Sequence, residues 1–486
     1  MNLSSGSTST GSGAPPLAVD LDGTLINTDA TLEGAVQVLK RNPWLLFLFP
    51  WWLLRGKATL KREIAARTQL DVEFLPYNQA LIEQLREQRD HRTLLLCTAA
   101  DQRFAHAVAG RLDLFHDVLA TRDDINFDAR ARTRALVQRY GAGGFDYAGN
   151  DASDLHVFGK ARRALVVNPT VGLRRRLQRI PNLEPTGPAG QRFSFAPYWQ
   201  AVRPHQWVKN LLVLVPLLAT FDGSHFDTIL PAVLAFLSFV LVAPAGYIFN
   251  DLVDLGADRR HPRKRARPLA AGTVPLRHAL VLMFALLAGA FLIATQISLL
   301  FVASLFVYCV GTTLYTLWFK RIPLLDTLVL AGLYTLRILA GAAAIVEEPS
   351  VWLLSFSMFF FLSLALAKRH SELKQLEGTR PDAIPGREYR WEDLSTLMSQ
   401  GAASGYAAVL VLALYIDSNS VLEHYRHPKI IWLICPLVLY WINKLWLNSQ
   451  RRQVEEDPIV WAFRNRVSRG ITILSVVLLL LARWLP

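Results

Sequence analysis

Cysteine is scarce in this chain: Cys97, Cys309 and Cys435 are the only three in 486 residues, far apart and without metal-ligand spacing. A disulfide framework and a cysteine-rich zinc site are thereby excluded, and a reduced compartment is the expectation. The first sixteen residues lack an apolar core and are rich in Ser, Gly and Thr, so they read as a disordered tail rather than a secretory signal. Acidic residues are outnumbered, 39 against 52 basic, for a net charge of +13. The basic residues are split among several loops. They punctuate apolar runs, which argues against a nucleic-acid partner and for topology signals and phosphate contacts. Hydrophobic residues make up 52% of the chain and concentrate after position 205, too many for an ordinary soluble enzyme.

The most informative stretch is Asn250 to Gly272, NDLVDLGADRRHPRKRARPLAAG, which begins where an apolar run ends. Asp251, Asp254 and Asp258 are spaced by three and four, so a continuing helix would carry all three carboxylates on one face. Such acids at the mouth of a membrane helix repel one another unless a cation lies between them. Mg²⁺ uses one or two carboxylates and leaves room for substrate phosphates. Behind the acids come Arg259, Arg260, Arg263, Lys264, Arg265 and Arg267, a set suited to phosphate oxygens. A solvated loop that fixes topology explains the arginines but not the ordered acids. The spacing therefore predicts a metal–diphosphate site.

Apolar runs near 207–221, 229–249, 276–297, 299–319, 324–346, 351–367, 394–416, 430–447 and 470–485 predict about nine membrane helices. The arginine-rich loop, Lys320–Arg321, Lys368–Arg369 and Arg451–Arg452 then fall on the cytosolic side, and Glu347–Glu348 outside. The expectation is a multi-pass protein of the cell's inner membrane, with a cytoplasmic amino-terminal half and an external carboxyl terminus.

That amino-terminal half opens with LAVDLDGTLINTD, a short apolar strand (17–19) ending at Asp20. The run resembles the first motif of the haloacid dehalogenase (HAD) superfamily, which implies an α/β Rossmann-like domain over 17–171 with a small helical cap near 33–92. In that reading Asp20 attacks phosphorus and Asp22 is the general acid and base. Thr98, closing the strand LLLCT, binds a phosphate oxygen. Asp20, Asp22 and Asp151 hold Mg²⁺, and Asp154 supports them. The family's lysine has no clear counterpart: Arg132 and Lys160 are the two candidates. A domain kept only for structure or regulation is the competing reading. Within the cap, NPWLLFLFPWWLLRGK (42–57) is too short to span a bilayer. It fits either the headgroup level, through its tryptophans and basic flanks, or burial against the domain's own core. A basic, proline-containing linker follows at 172–196.

From about Arg203 onward, NDxxDxxxD followed by RPLAAG resembles the UbiA superfamily of intramembrane prenyltransferases. RPHQWVKNLLVL, HPRKRARPLAAG, LALAKRHSELKQL and YRWEDL resemble, more narrowly, its decaprenyl-phosphate phosphoribosyltransferase branch. The resemblance implies an all-α membrane bundle over 197–486 that joins 5-phosphoribosyl diphosphate (PRPP) to a polyprenyl phosphate and releases diphosphate. Asn250, Asp251, Asp254 and Asp258 would then hold Mg²⁺ on PRPP, with Lys264, Arg265 and Arg267 on the leaving group. Tyr389 and Asp393, spaced YxxxD one helical turn apart, correspond to the second acidic motif, although Asp393 also fits a local cap. Lys209, Lys368 and Arg369 suit phosphate as well as interfacial anchoring. Arg337 lies inside a span, where a charge is expensive and usually functional. Joined in one chain, the two halves suggest consecutive steps: transfer of phosphoribose, then removal of its 5-phosphate on the way to lipid-linked arabinose. A conventional transfer of an isoprenoid to an aromatic acceptor is the rival. A homo-oligomer is compatible with this architecture.

Overall fold

The computed structural model describes residues 14–484, apart from 124, 177–181, 185–193, 221–225, 377–386, 419–424 and 455–456. The tail expected at the start and much of the linker at 172–196 lie outside the described residues. The chain divides into two compact units. The first is Met1–Ala201 with Asp251–Leu280; the second is Val202–Asn250 with Val281–Pro486.

The first unit is built on a parallel sheet of six short strands in the order β3-β2-β1-β4-β5-β6. Its centre is β1 (Leu17–Val19), flanked by β2 (Leu94–Asp101) and β4 (Asp146–Gly149). These three strands are almost wholly buried, as runs covered on both faces must be. The outer strands are β3 (Asp117–Thr121), β5 (Arg163–Val166) and β6 (Leu183–Glu184). The chain leaves β1 toward β2 and β3, then returns to β4 on β1's other side. That reversal opens a crevice at the carboxyl ends of β1 and β4, where ligands bind in open α/β sheets.

Between β1 and β2 lie helices only. These are α1 (Ala30–Arg41), a 3₁₀ turn (Pro43–Leu48), α2 (Phe49–Leu54), α3 (Lys57–Arg67) and α4 (Gln79–Gln88). The α1 helix starts at Asp29, whose carboxylate accepts from the Leu32 amide at 2.9 Å, and stops two residues short of Pro43. Later come α5 (Gln102–Leu112) and α6 (Ala129–Tyr140), the latter capped by Asp128.

The segment Asp251–Leu280 belongs to this first unit and is fastened to it at several places. Buried Arg259 forks onto buried Glu33 of α1, Nη1 to Oε2 at 2.9 Å and Nη2 to Oε1 at 2.5 Å, while its Nε donates to the Ala270 carbonyl. Arg260 bonds Asp71 at 2.7 Å, and Arg277 bonds Asp29 at 2.7 Å. Gly272 has φ +71° and lies so close to Asn27 that a Cβ would stand 2.3 Å from its carbonyl oxygen, so only glycine fits. Arg259 and Arg260, expected among the phosphate ligands, are therefore committed to protein carboxylates. Removing one partner of a buried pair costs about 3–5 kcal/mol. Glu33→Ala should accordingly speed hydrogen exchange of amides in 255–272 by roughly two orders of magnitude. Unchanged protection there would show that the pair holds nothing.

The second unit is helical. Among the described residues, seven helices of the whole chain are long and apolar enough to cross a membrane, beginning with Ile229–Val253, Leu276–Ala294, Leu299–Leu317 and Leu325–Ile345. The others are Val351–Gln375, Asp393–Ile416 and Pro428–Gln450. An eighth crossing exists if Pro458–Arg464 and Arg466–Arg483, bent by 82°, count as one. The expected nine are thus corrected to seven or eight. The run at 207–221 is not one long helix: Pro204–Leu214 is 3₁₀ and Val215–Thr220 a separate short α-helix. Pro216 lacks the N–H that would bond back into the preceding turn, which divides the segment.

Candidate active sites

In the first unit, Asp20 ends β1 and is held from two sides. Its backbone amide bonds the Ala148 carbonyl of β4, and its Oδ1 accepts from Arg132 Nη1 at 2.9 Å. Arg132, buried on α6, also bonds the Tyr147 hydroxyl at 2.6 Å and reaches Asp154 at 3.2 Å. Of the two candidates for the missing lysine, the structure places Arg132 against Asp20. Lys160 is exposed, beyond the cluster. Asp22 accepts from the Ala30 amide at 2.8 Å. Gly23 has φ +77°, and a Cβ there would sit 2.1 Å from Asn150 Nδ2, so the DLDGT turn is locked on the chain leaving β4. Asp154 accepts the amides of Asn150 and Asp151, and Asp151 accepts from Ser153 and Thr170. Thr98 is fully buried in β2, its hydroxyl accepting from the Ala100 amide, where the ladder to β3 loses register.

Burial pushes Asp20 up to about 7, with Arg132 opposing and Asp154 adding to the rise. Burial and neighbouring Asp29 hold Asp22 well above the usual carboxylate range. Asp151 stays below it: burial works against ionisation, but hydrogen bonds from Ser153 and its neighbours outweigh it. One contributor escaped sequence reasoning. Lys61 of α3 turns inward, its Nζ donating to the Ala99 carbonyl at 2.6 Å and Asn126 Oδ1 at 2.8 Å, within the field of Asp22 and Asp29. Nothing in the sequence distinguished it from Lys57, Arg62 or Arg67. Arg277 also acts on Asp29, Asp22 and Asp151. The carboxylates of Asp20, Asp22, Asp29, Asp151 and Asp154 outnumber the cations Arg132, Lys61 and Arg277, and burial favours the neutral forms of Asp20 and Asp22.

The Asp-rich segment departs from one expectation. The helix breaks at Asp254, between Ile229–Val253 and Leu255–Arg260, so the three acids do not share a continuing helical face. Asp251 and Asp258 still converge: both carboxylates, buried, accept from Arg267 Nη1, at 3.1 and 2.6 Å. Asp254 forms an ion pair with Lys40 at 3.6 Å. Burial raises Asp258, against the pull of Arg267, and Lys264 also acts on it. Arg265 is exposed. Among the described residues, no three His, Cys, Asp or Glu side chains stand close enough to enclose a metal ion unaided. Two carboxylates converging on one positive nitrogen nonetheless fit Mg²⁺, which completes its shell with phosphate oxygens and water.

The second unit gathers other candidates into two groups. Lys209 and Lys368 both donate to Asp457 Oδ2, at 2.7 and 2.9 Å. Lys209 lies 5.8 Å from the Tyr334 ring, over which Arg337 also sits at 5.3 Å. Arg337 bonds the Tyr308 hydroxyl at 2.6 Å and leaves its Nε unpartnered. Three cations against one carboxylate leave a buried positive region. In the other group Arg369 is fully buried and spent on Asp326 and Glu372, with the Tyr315 hydroxyl as a third partner. Tyr389 donates to Asp326 from a stretch outside any helix, so it and Asp393 are not one turn apart on a helix. Asp393, the first residue of its helix, accepts the Arg390 amide three residues before it. Asn250 bonds Lys320 at 3.2 Å. Asp326 and Asp457 were missed, although an acid inside or beside an apolar span was a usable signal.

Against known proteins, a family model described as UbiA prenyltransferase family matches residues 211–467. An uncharacterized protein y4nM of Sinorhizobium fredii is 33% identical over 456 residues, 93% of this chain and 88% of that one. Decaprenyl-phosphate phosphoribosyltransferase of Mycobacterium tuberculosis is 36% identical over 188 residues, which cover 37% of this chain and 61% of that enzyme. The structure of a UbiA homolog from Archaeoglobus fulgidus bound to GPP and Mg²⁺ is 18% identical, with a TM-score of 0.47 over 58% of this chain and 99% of that one.

Proposed function

The chain belongs to the UbiA prenyltransferase family, and from that premise we propose that it transfers 5-phosphoribose from PRPP to a polyprenyl phosphate and then removes the 5-phosphate. The observation that carries the transfer is the convergence of Asp251 and Asp258 on Arg267. Those two carboxylates would hold Mg²⁺. When bound, the ion neutralises charge on a diphosphate leaving group. The chain's own residues do the remaining work. Arg267 and Lys264 take oxygens of the departing diphosphate. The phosphate of the acceptor lipid supplies the oxygen that bonds to the anomeric carbon. The bond from that carbon to diphosphate breaks, its electron pair leaving with diphosphate. The acceptor is already anionic, so no general base is required and positioning suffices.

In the first unit, Asp20 attacks the phosphorus of the 5-phosphate and the bond to the ribose oxygen breaks. Asp22 hands that oxygen a proton, then takes one from the water that releases phosphate from Asp20. Arg132 orients Asp20, and Lys61 would take phosphate oxygens. The product is a polyprenylphosphoryl ribose, and the cytoplasmic face of a cell membrane is the expected location of both sites. The reading is tested by giving the full-length protein in membranes PRPP, polyprenyl phosphate and Mg²⁺, and identifying the lipid by mass spectrometry. Diphosphate release that stops on chelation, with a dephosphorylated ribosyl lipid, is expected. Turnover untouched by chelation, or release of diphosphate only from an isoprenyl diphosphate, would favour the rival transfer to an aromatic acceptor.

A further inference from the structure

Seven large apolar side chains of the first unit crowd the exposed surface of twelve residues. They are Trp44, Leu46, Phe47, Leu48, Trp51, Leu53 and Leu54, from 42% to 82% exposed. The same stretch turns Leu45, Phe49 and Trp52 inward, so its inner face is already satisfied by the core. The expectation of burial against the domain's own core therefore holds for three residues and fails for the seven. Soluble surfaces rarely keep such a patch without a use for it.

Charge around the patch is one-sided. No Asp or Glu occurs between Glu33 and Glu63, whereas Lys40, Arg41, Arg55, Lys57, Lys61 and Arg62 do. Lys40 and Lys61 are engaged by Asp254 and by Ala99 and Asn126, but Arg41, Arg55 and Lys57 stay exposed at the patch's two ends. Arg55 stacks over Trp51 at 4.8 Å. Tryptophan with a basic rim is the composition of the membrane–water interface.

Connectivity supplies the occupant. Asp251–Leu280 is part of the first unit, and the chain enters that segment from the apolar helix Ile229–Val253 and leaves it through Leu276–Ala294. A unit that incorporates the turn between two membrane helices is tied to a bilayer surface. We propose that residues 43–54 form an interfacial anchor, lying in the headgroup layer of an anionic lipid surface with Trp44, Phe47, Trp51 and Leu54 toward the acyl chains. The anchor does not depend on the phosphatase reading. It would place a substrate with a lipid tail within the reach of the first unit's site.

The test uses the full chain in nanodiscs of mixed zwitterionic and anionic lipid. A nitroxide is attached to Leu54→Cys and, separately, to Phe47→Cys, with Cys309 and Cys435 replaced by alanine. Cys97 remains, because it is buried and burial pushes its thiol up to about 12. Glu87→Cys, at an exposed position of α4, is the aqueous control. At positions 47 and 54, collisions with oxygen should exceed those with a water-soluble nickel chelate several-fold, the reverse of position 87. Chelate access at 47 and 54 equal to that at 87 overturns the proposal. So does dipolar broadening between labels that vanishes on dilution with unlabelled protein, since a second copy would then be the occupant. Because the readout is depth and not turnover, it stays decisive whatever reaction the first unit catalyses.

Discussion

Asp251→Asn is expected to cut diphosphate release from PRPP by roughly a thousandfold, about 4 kcal/mol of transition-state stabilisation. The substitution keeps size and hydrogen-bonding capacity but removes one of two charges that converge on the same point. Arg267 keeps its 2.6 Å bond to Asp258, so the segment should stay folded. Hydrogen exchange of 255–272 at wild-type rates would confirm that the loss is chemical rather than structural. Free phosphate would vanish as well, because no phosphorylated lipid is made. Supplying that lipid ready-made should restore phosphate release in the same variant. Diphosphate release within tenfold of wild type would remove the Asp-rich segment from the chemistry.

The second large effect separates the other half of the scheme. With PRPP and a polyprenyl phosphate, Asp20→Asn should accumulate the lipid still carrying its 5-phosphate. Free phosphate should fall by at least roughly a thousandfold, since an amide cannot form the covalent intermediate. Diphosphate release should be unchanged. Stability should hardly suffer, because Arg132 retains Asp154 and the Tyr147 hydroxyl. Phosphate released at the wild-type rate would reduce the first unit to a structural role.

Much of this was legible in the sequence where one residue's chemistry and its strand or span decide the outcome together. Asp20 at the tip of an apolar strand and Gly23 in the turn follow from short-range pattern, whereas the choice between Arg132 and Lys160 needed a contact made 112 residues along the chain. What failed depended on partners far along the chain. Arg259 looks like a phosphate ligand until Glu33, 226 residues away, is seen to occupy it. Asp254 looks like the third member of a helical face until the helix breaks beneath it. Arg369 looked available, yet Asp326 and Glu372 already neutralise it. The extra span at 207–221 was misjudged because hydropathy registers composition and is blind to the missing amide of Pro216.

The attachment of Asp251–Leu280 to the first unit bears on how this protein can be dissected. Expressing residues 1–201 alone leaves Glu33 as an orphaned anion beneath a surface nothing covers. A truncation starting near 202 keeps every membrane helix but strips the Asp-rich turn of the scaffold that shapes it. The gene can be cut between its halves; the molecule cannot.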